Sequence, residues 1–201
     1  MIGGVAYRRC LAGSESTSDT PHLFPLARQH SGVPFTPVHL APGLLLGLLT
    51  LRWLDLPTVL LASVLVDVRT ALVFFDVLDG PLHGPLHTLL GATLLALVIA
   101  VGVLPVRSVL DPVLGWLRVP QTASIRRIGA GAVVGTWGHV LLDATLYADM
   151  VPFAPVAGNP LLGLLGVGTV YVGCLVAGIV GCGLYGMTAC GLVALPTSDA
   201  A

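Results

Sequence analysis

His139 and Asp143, in GHVLLDATLY, stand four residues apart in an apolar run. On a helix that spacing puts an imidazole and a carboxylate on one face. The same interval recurs in GPLHGPLH, where His83 and His87 precede the run TLLGATLLALVIAVGVLPV. Gly84-Pro85 separates these two histidines, and proline favours the first turn of a helix. A helix is therefore predicted to start at Pro85, with His83 just before it and His87 in its first turn. Asp67 in ASVLVDVRT and His39 in TPVHLAPG bring the set to six.

Imidazole and carboxylate together suit a divalent metal ion, zinc foremost, with manganese or iron compatible. A catalytic zinc keeps three protein ligands and a water whose pKa falls to about 7. A further carboxylate then fixes the tautomer of a ligating histidine or serves as base. His39, Asp67, His87, His139 and Asp143 are the expected ligands. His83 is expected as ligand or proton shuttle, and Asp143 doubles as a catalytic group. Each residue also has a plainer reading: His39 as an interfacial side chain, Asp67 as a partner of Arg69, His139 and Asp143 as a structural hydrogen bond. His22 and His30, in a polar stretch, read as solvated.

The elements that must position these groups are apolar. The 201 residues are 55% hydrophobic and 9% charged, with a mean hydropathy of +0.94. Soluble domains carry roughly 25% charged residues, so the composition reads as an integral membrane protein. A helix needs about 20 apolar residues to cross the hydrocarbon core. Five candidate spans follow: 38–54, 57–78, 85–106, 128–147 and 161–186. The first two are weakly separated by Arg52, Trp53, Asp55 and Pro57, which leaves a bent or re-entrant pair open. The predicted fold is all-α, a polytopic helical bundle of about five transmembrane helices in the cell membrane.

Residues 1–32 are polar and patternless and are expected to be a disordered tail, with Val33 as a candidate true start. Residues 33–195 form the transmembrane domain, and 196–201 a short C-terminal tail. Arg107, Arg118, Arg126 and Arg127 gather in and next to the loop 105–127, which the positive-inside rule places in the cytoplasm. The six candidate residues then fall at similar depth near the outer face, and the Pro-rich loop DMVPFAPVAGNP (149–160) is placed to cover them. On the last run, Cys174, Gly178, Cys182, Gly186 and Cys190 recur every four residues, a small-residue face for close helix approach. These cysteines read as packing residues rather than ligands. Arg8-Arg9 lacks the apolar stretch of a targeting signal. A net charge of −1 gives no basic surface for nucleic acid. Lysine is absent and aspartate outnumbers glutamate, as in GC-rich genomes such as those of salt-loving archaea.

TPVHLAPGLLLG, ASVLVDVRT, HGPLHTLLGA and HVLLDATLYADMVPFAP, in this order on hydrophobic runs, resemble the predicted membrane-bound metal-dependent hydrolases of bacteria and archaea. The likeness spans residues 34 to about 160. It implies a small polytopic protein that uses His and Asp on its helices to hold metal. Two segments depart from the family. The Pro-Asp-x-Asp phrase is here Val66-Asp67-Val68-Arg69, with a cation replacing the second acid. The His-Arg-Gly and Thr-His-Ser phrases are here reduced to two closer histidines without the arginine. The lost carboxylate argues for one ion rather than two. The reading carried forward is a metal-dependent hydrolase of ester or phosphoester bonds, with membrane lipids around it and a lipid or small-molecule substrate. Its rival is a non-enzymatic multi-pass protein, a proton- or metal-coupled carrier or a scaffold.

Overall fold

The computed structural model describes residues 37–195. The expected tails 1–32 and 196–201, the candidate start at Val33, and His22 and His30 lie outside the described residues. Among the described residues every regular element is helical.

Helix α1 spans Pro37–Leu49, with Pro42 inside it. Asp55 then opens α2, Leu56–Leu65, by accepting from the backbone N–H of Thr58 at 3.2 Å and from its hydroxyl at 2.6 Å. Such a cap answers a donor that the first helical turn cannot pair. Pro57 sits where a missing N–H costs nothing. The chain breaks step at Val66-Asp67 and resumes as α3, Val68–Phe74. Helix α4, Leu89–Val103, is capped by the Thr88 hydroxyl, which accepts from the N–H of Gly91 at 2.9 Å. After α4 come a short turn of 3-10 helix, Arg107–Leu110, and α5, Asp111–Trp116, together bent 72° away from α4. Helix α6 is Ile125–Ala144, and α7 is Val167–Ala189.

In the packed order, α6 lies between α2 and α4, α1 rests on the other side of α2, and α7 packs on α1. Glycine decides the closest of these approaches. A Cβ at Gly135 would stand 2.6 Å from the Val59 carbonyl and 2.7 Å from the Ala62 Cβ, and one at Gly131 would stand 3.0 Å from the Asp55 carbonyl. Residues 131 and 135 thus let α6 lie directly on the backbone of α2, and 139 and 143 continue the same face.

Two helices are long and apolar enough to cross a membrane: the run Leu56–Phe74, which joins α2 and α3, and α7. A third is reached only if α4 and the bent segment after it count as one span. The expectation of five spans is therefore not supported. Helix α1 has only 13 residues. Helix α6 has the length, but carries Arg126, Arg127, His139, Asp143 and several glycines. Outward apolar side chains such as Val172, Leu175 and Ile179 on α7 and Leu97 and Val101 on α4 are more than half exposed.

Two local expectations also shift. The helix predicted to start at Pro85 instead begins at Leu89, because Pro85–His87 form a separate 3-10 turn and Thr88 is extended. The four-residue stripe on α7 holds only at its start. Cys174 is buried and Gly178 faces Ala41, but the next close approach is Gly181 against α1, while Cys182 and Cys190 are exposed. A straight helix turns every 3.6 residues, so a strict four-residue stripe drifts off the contact.

Candidate metal centre

Asp67, His87, His139 and Asp143 are all buried, and each offers a ligand atom within 4.8 Å of the others. They come from four places in the chain: the break between α2 and α3, the turn before α4, and two successive turns of α6.

Each is held by its local backbone. Asp67 sits at the Val66-Asp67 break, as the residue that opens α3. His87 is fixed by its 3-10 turn, which folds back over α4 so closely that Gly91 has no room for a side chain beside the Pro85 carbonyl. His139 is oriented by α2: its Nδ1–H donates to the Ser63 carbonyl at 2.7 Å. A carbonyl only accepts, so that bond assigns the ring proton to Nδ1 and leaves the lone pair on Nε2. The Gly135 contact lies one turn below and permits this reach.

His139 Nε2 stands 3.1 Å from Asp143 Oδ2 and 3.3 Å from Asp67 Oδ1. His87 Nε2 stands 3.3 Å from the same Asp67 oxygen and 3.7 Å from Asp143 Oδ2. These approaches are close without being hydrogen bonds. His139 Nε2 and both ring nitrogens of His87 are buried with no hydrogen-bond partner. Buried polar atoms are paired in nearly all native structures, so a group of orphans at one point calls for a physical account. Two carboxylates bring two negative charges, and imidazole lone pairs add only acceptors. One divalent cation answers all four groups at once, whereas a proton on one ring answers only part of them. The donor set therefore fits a divalent ion of the nitrogen- and oxygen-binding class.

His39 occupies a different place from the expected ligand position. Its Nε2 lies 3.0 Å from Asp143 Oδ1, the oxygen turned away from His87 and His139. Its ring stacks on that of His139 at 4.1 Å between centroids. His39 thus touches two members of the cluster from behind, while its Nδ1 and Asp143 Oδ1 join the buried atoms without a hydrogen-bond partner. A cavity of about 60 Å³ lies beside it, lined in part by His39, Ser63, Gly138 and His139.

His83 also stands outside the four. Its Nδ1–H donates to the Asp149 carboxylate, with both oxygens at 3.0 Å. Its ring lies edge-on to His87 at 5.0 Å and against Tyr147 at 4.2 Å. Sequence reasoning passed over Asp149, Tyr147 and the Ser63 carbonyl. Asp149 stands only six residues beyond Asp143 in the quoted stretch HVLLDATLYADM, but no helical spacing links it to His83.

Arg69, weighed as a partner for Asp67, turns instead to the Pro81 carbonyl at 2.6 Å. Its guanidinium lies against Gly80 and Gly84, where a Cβ at either position would collide with it, and Gly80 has φ +120°. The glycines of GPLHGPLH thus make room for an arginine, while its histidines face the cluster. The loop 149–160 does cover this end. Met150 and Pro152 are buried, the N–H of Leu89 donates to the Pro152 carbonyl at 2.8 Å, and Asn159 donates to the Ala144 carbonyl at 2.8 Å.

Comparison with protein-family models, with curated proteins and with solved structures gave no match to this chain.

Proposed function

We propose that the protein is a membrane-embedded hydrolase dependent on a divalent metal ion, with Asp67, His87, His139 and Asp143 as its ligands and zinc as the first candidate. The observation that carries this reading is the convergence of two carboxylates with imidazole nitrogens that are buried and unbonded. Such an ion supplies Lewis acidity, polarising an ester or phosphoester oxygen and acidifying water. Ser63 and His39 hold His139 and Asp143 in place, and His83 carries a proton at the rim. A lipid or a small molecule is the substrate class. The membrane reading extends to multi-pass insertion: α6 turns His139, Asp143 and Thr136 inward against α2 and α4, so its low apolar content need not exclude it from the bilayer.

A metal- or proton-coupled carrier is the second reading. Its support is the helix break at Val66-Asp67, since carriers place ion ligands at interrupted helices. Elemental analysis of protein purified without chelator separates the cases at the first step. One transition-metal ion per chain is expected, lost in His139→Ala and Asp143→Ala together with cleavage of ester or phosphoester probes. Metal-free wild-type protein would end the metal reading. Metal-dependent flux into liposomes without cleavage of any probe would favour the carrier.

A further inference from the structure

The rim pair His83–Asp149 is more constrained than a surface ion pair. The His83 ring is buried, whereas the Asp149 side chain is 49% exposed. Tyr147 covers one side of the ring, the edge contact with His87 limits it on another, and the carboxylate takes Nδ1. Asp149 is itself placed by the end of α6: the N–H of Tyr147 donates to the Asp143 carbonyl at 3.0 Å, and Asn159 ties the Tyr147 carbonyl at 3.2 Å. One chain turn therefore connects a cluster carboxylate, Asp143, to the carboxylate that aims His83.

A carboxylate accepts and does not donate, so the bond requires the proton on His83 Nδ1. The lone pair is then on Nε2. A histidine whose Nδ1–H is held by a carboxylate and whose lone pair is on Nε2 has the tautomer of a general base.

We propose that Asp149 is the positioning residue for His83, fixing its tautomer so that Nε2, on a ring set beside His87, is the proton carrier of the hydrolysis. This rests on the hydrolase reading above. Water oxygen forms the new bond to the acyl carbon or phosphorus, and one water proton passes to His83 Nε2. The same proton goes to the leaving oxygen as its bond breaks, and Nδ1–H stays on Asp149 throughout.

The test uses the full chain in nanodiscs, loaded with zinc and labelled with 15N-histidine, the His83 signals being assigned by their loss in His83→Gln. Wild-type His83 is expected as the Nδ1–H tautomer, and Asp149→Asn as a tautomer mixture with unchanged zinc content. With p-nitrophenyl butyrate or bis(p-nitrophenyl) phosphate, Asp149→Asn is expected to lower kcat by ~100-fold at unchanged KM, the low end of what a placed acid–base group supplies. Asp149→Glu should recover part of the loss. An Nε2–H tautomer in the wild type, an unchanged tautomer or kcat in Asp149→Asn, or loss of zinc from that variant would each overturn the assignment. Wild-type protein that binds zinc but cleaves neither probe would defeat the hydrolase reading and the proton-carrier role with it. The tautomer would then still decide whether Asp149 positions His83.

Discussion

Arg107 and His139 are both fully buried, at opposite ends of the α2–α6 pair, and their surroundings differ in one respect. Arg107 donates through Nε to Asp55 at 2.6 Å, through one terminal nitrogen to Asp111 at 2.6 Å, and through the other to the Gln121 carbonyl at 3.3 Å. Gln121 in turn donates to the carbonyls of Leu51 and Leu54 and accepts from the N–H of Leu56. No buried side-chain atom of Arg107, Asp55 or Gln121 lacks a partner. About 12 Å away along α2, from Asp55 to Ser63 at a rise of 1.5 Å per residue, the His139 end sets two carboxylates beside His139 Nε2 and His87 nitrogens that have no hydrogen-bond partner. One cluster is complete as folded and ties α2 to the segment after α4. The other gathers four ligand atoms close enough together to hold a metal ion.

Arg107→Ala should show the largest effect. Removing one partner from a buried ion pair leaves Asp55 uncompensated and costs about 3–5 kcal/mol. A lowered thermal midpoint in detergent is expected, and the shift should be the same with and without added zinc. A midpoint that stayed at the wild-type value would mean that the complete cluster does not tie α2 to this segment. The His139 end predicts the converse. A ligand that binds only the folded state adds about 4 kcal/mol at a thousand times its Kd. Zinc should therefore raise the midpoint of wild-type protein and of Arg107→Ala alike, but not that of His139→Ala. Equal zinc response in wild-type protein and His139→Ala would place the ion elsewhere.

The comparison also separates what residue types announce from what only folding reveals. His139 and Asp143 were legible because one helix face holds both, and Asp67 and His87 followed from their depth in apolar runs. His39 was read as a ligand, but its contact with the other oxygen of Asp143, outside the group of four, depends on how α1 packs. The Ser63 carbonyl was invisible, since a backbone acceptor carries no signature in the side-chain sequence. Arg107 was read among the loop arginines that set orientation, yet it is the most enclosed cation among the described residues. Its partners Asp55 and Gln121 are 52 and 14 residues away, so only the fold brings them together. The count of spans failed for a related reason. Hydropathy scores α6 by composition, and among the residues that lower its score Gly131 and Gly135 let it pack on α2 while His139 and Asp143 build the cluster.

The glycines of α6 give the smallest and most local test, because they divide by position. Gly135 lies against the α2 backbone, whereas a Cβ at Gly138 would meet nothing within 4 Å. Gly135→Ala must push α6 off α2, at a cost of about 1–3 kcal/mol for an overpacked contact. The displacement also stretches the bond from His139 Nδ1 to the Ser63 carbonyl, releasing the tautomer, so zinc affinity should fall together with stability. Gly138→Ala, one residue before His139, adds a better helix former without a collision and should stabilise by up to about 1 kcal/mol with zinc affinity unchanged. Calorimetric zinc titration of the two variants reads the difference directly. Equal affinities would show that the close approach of α6 to α2 serves packing alone, and that the cluster does not depend on the α2 carbonyl to aim His139.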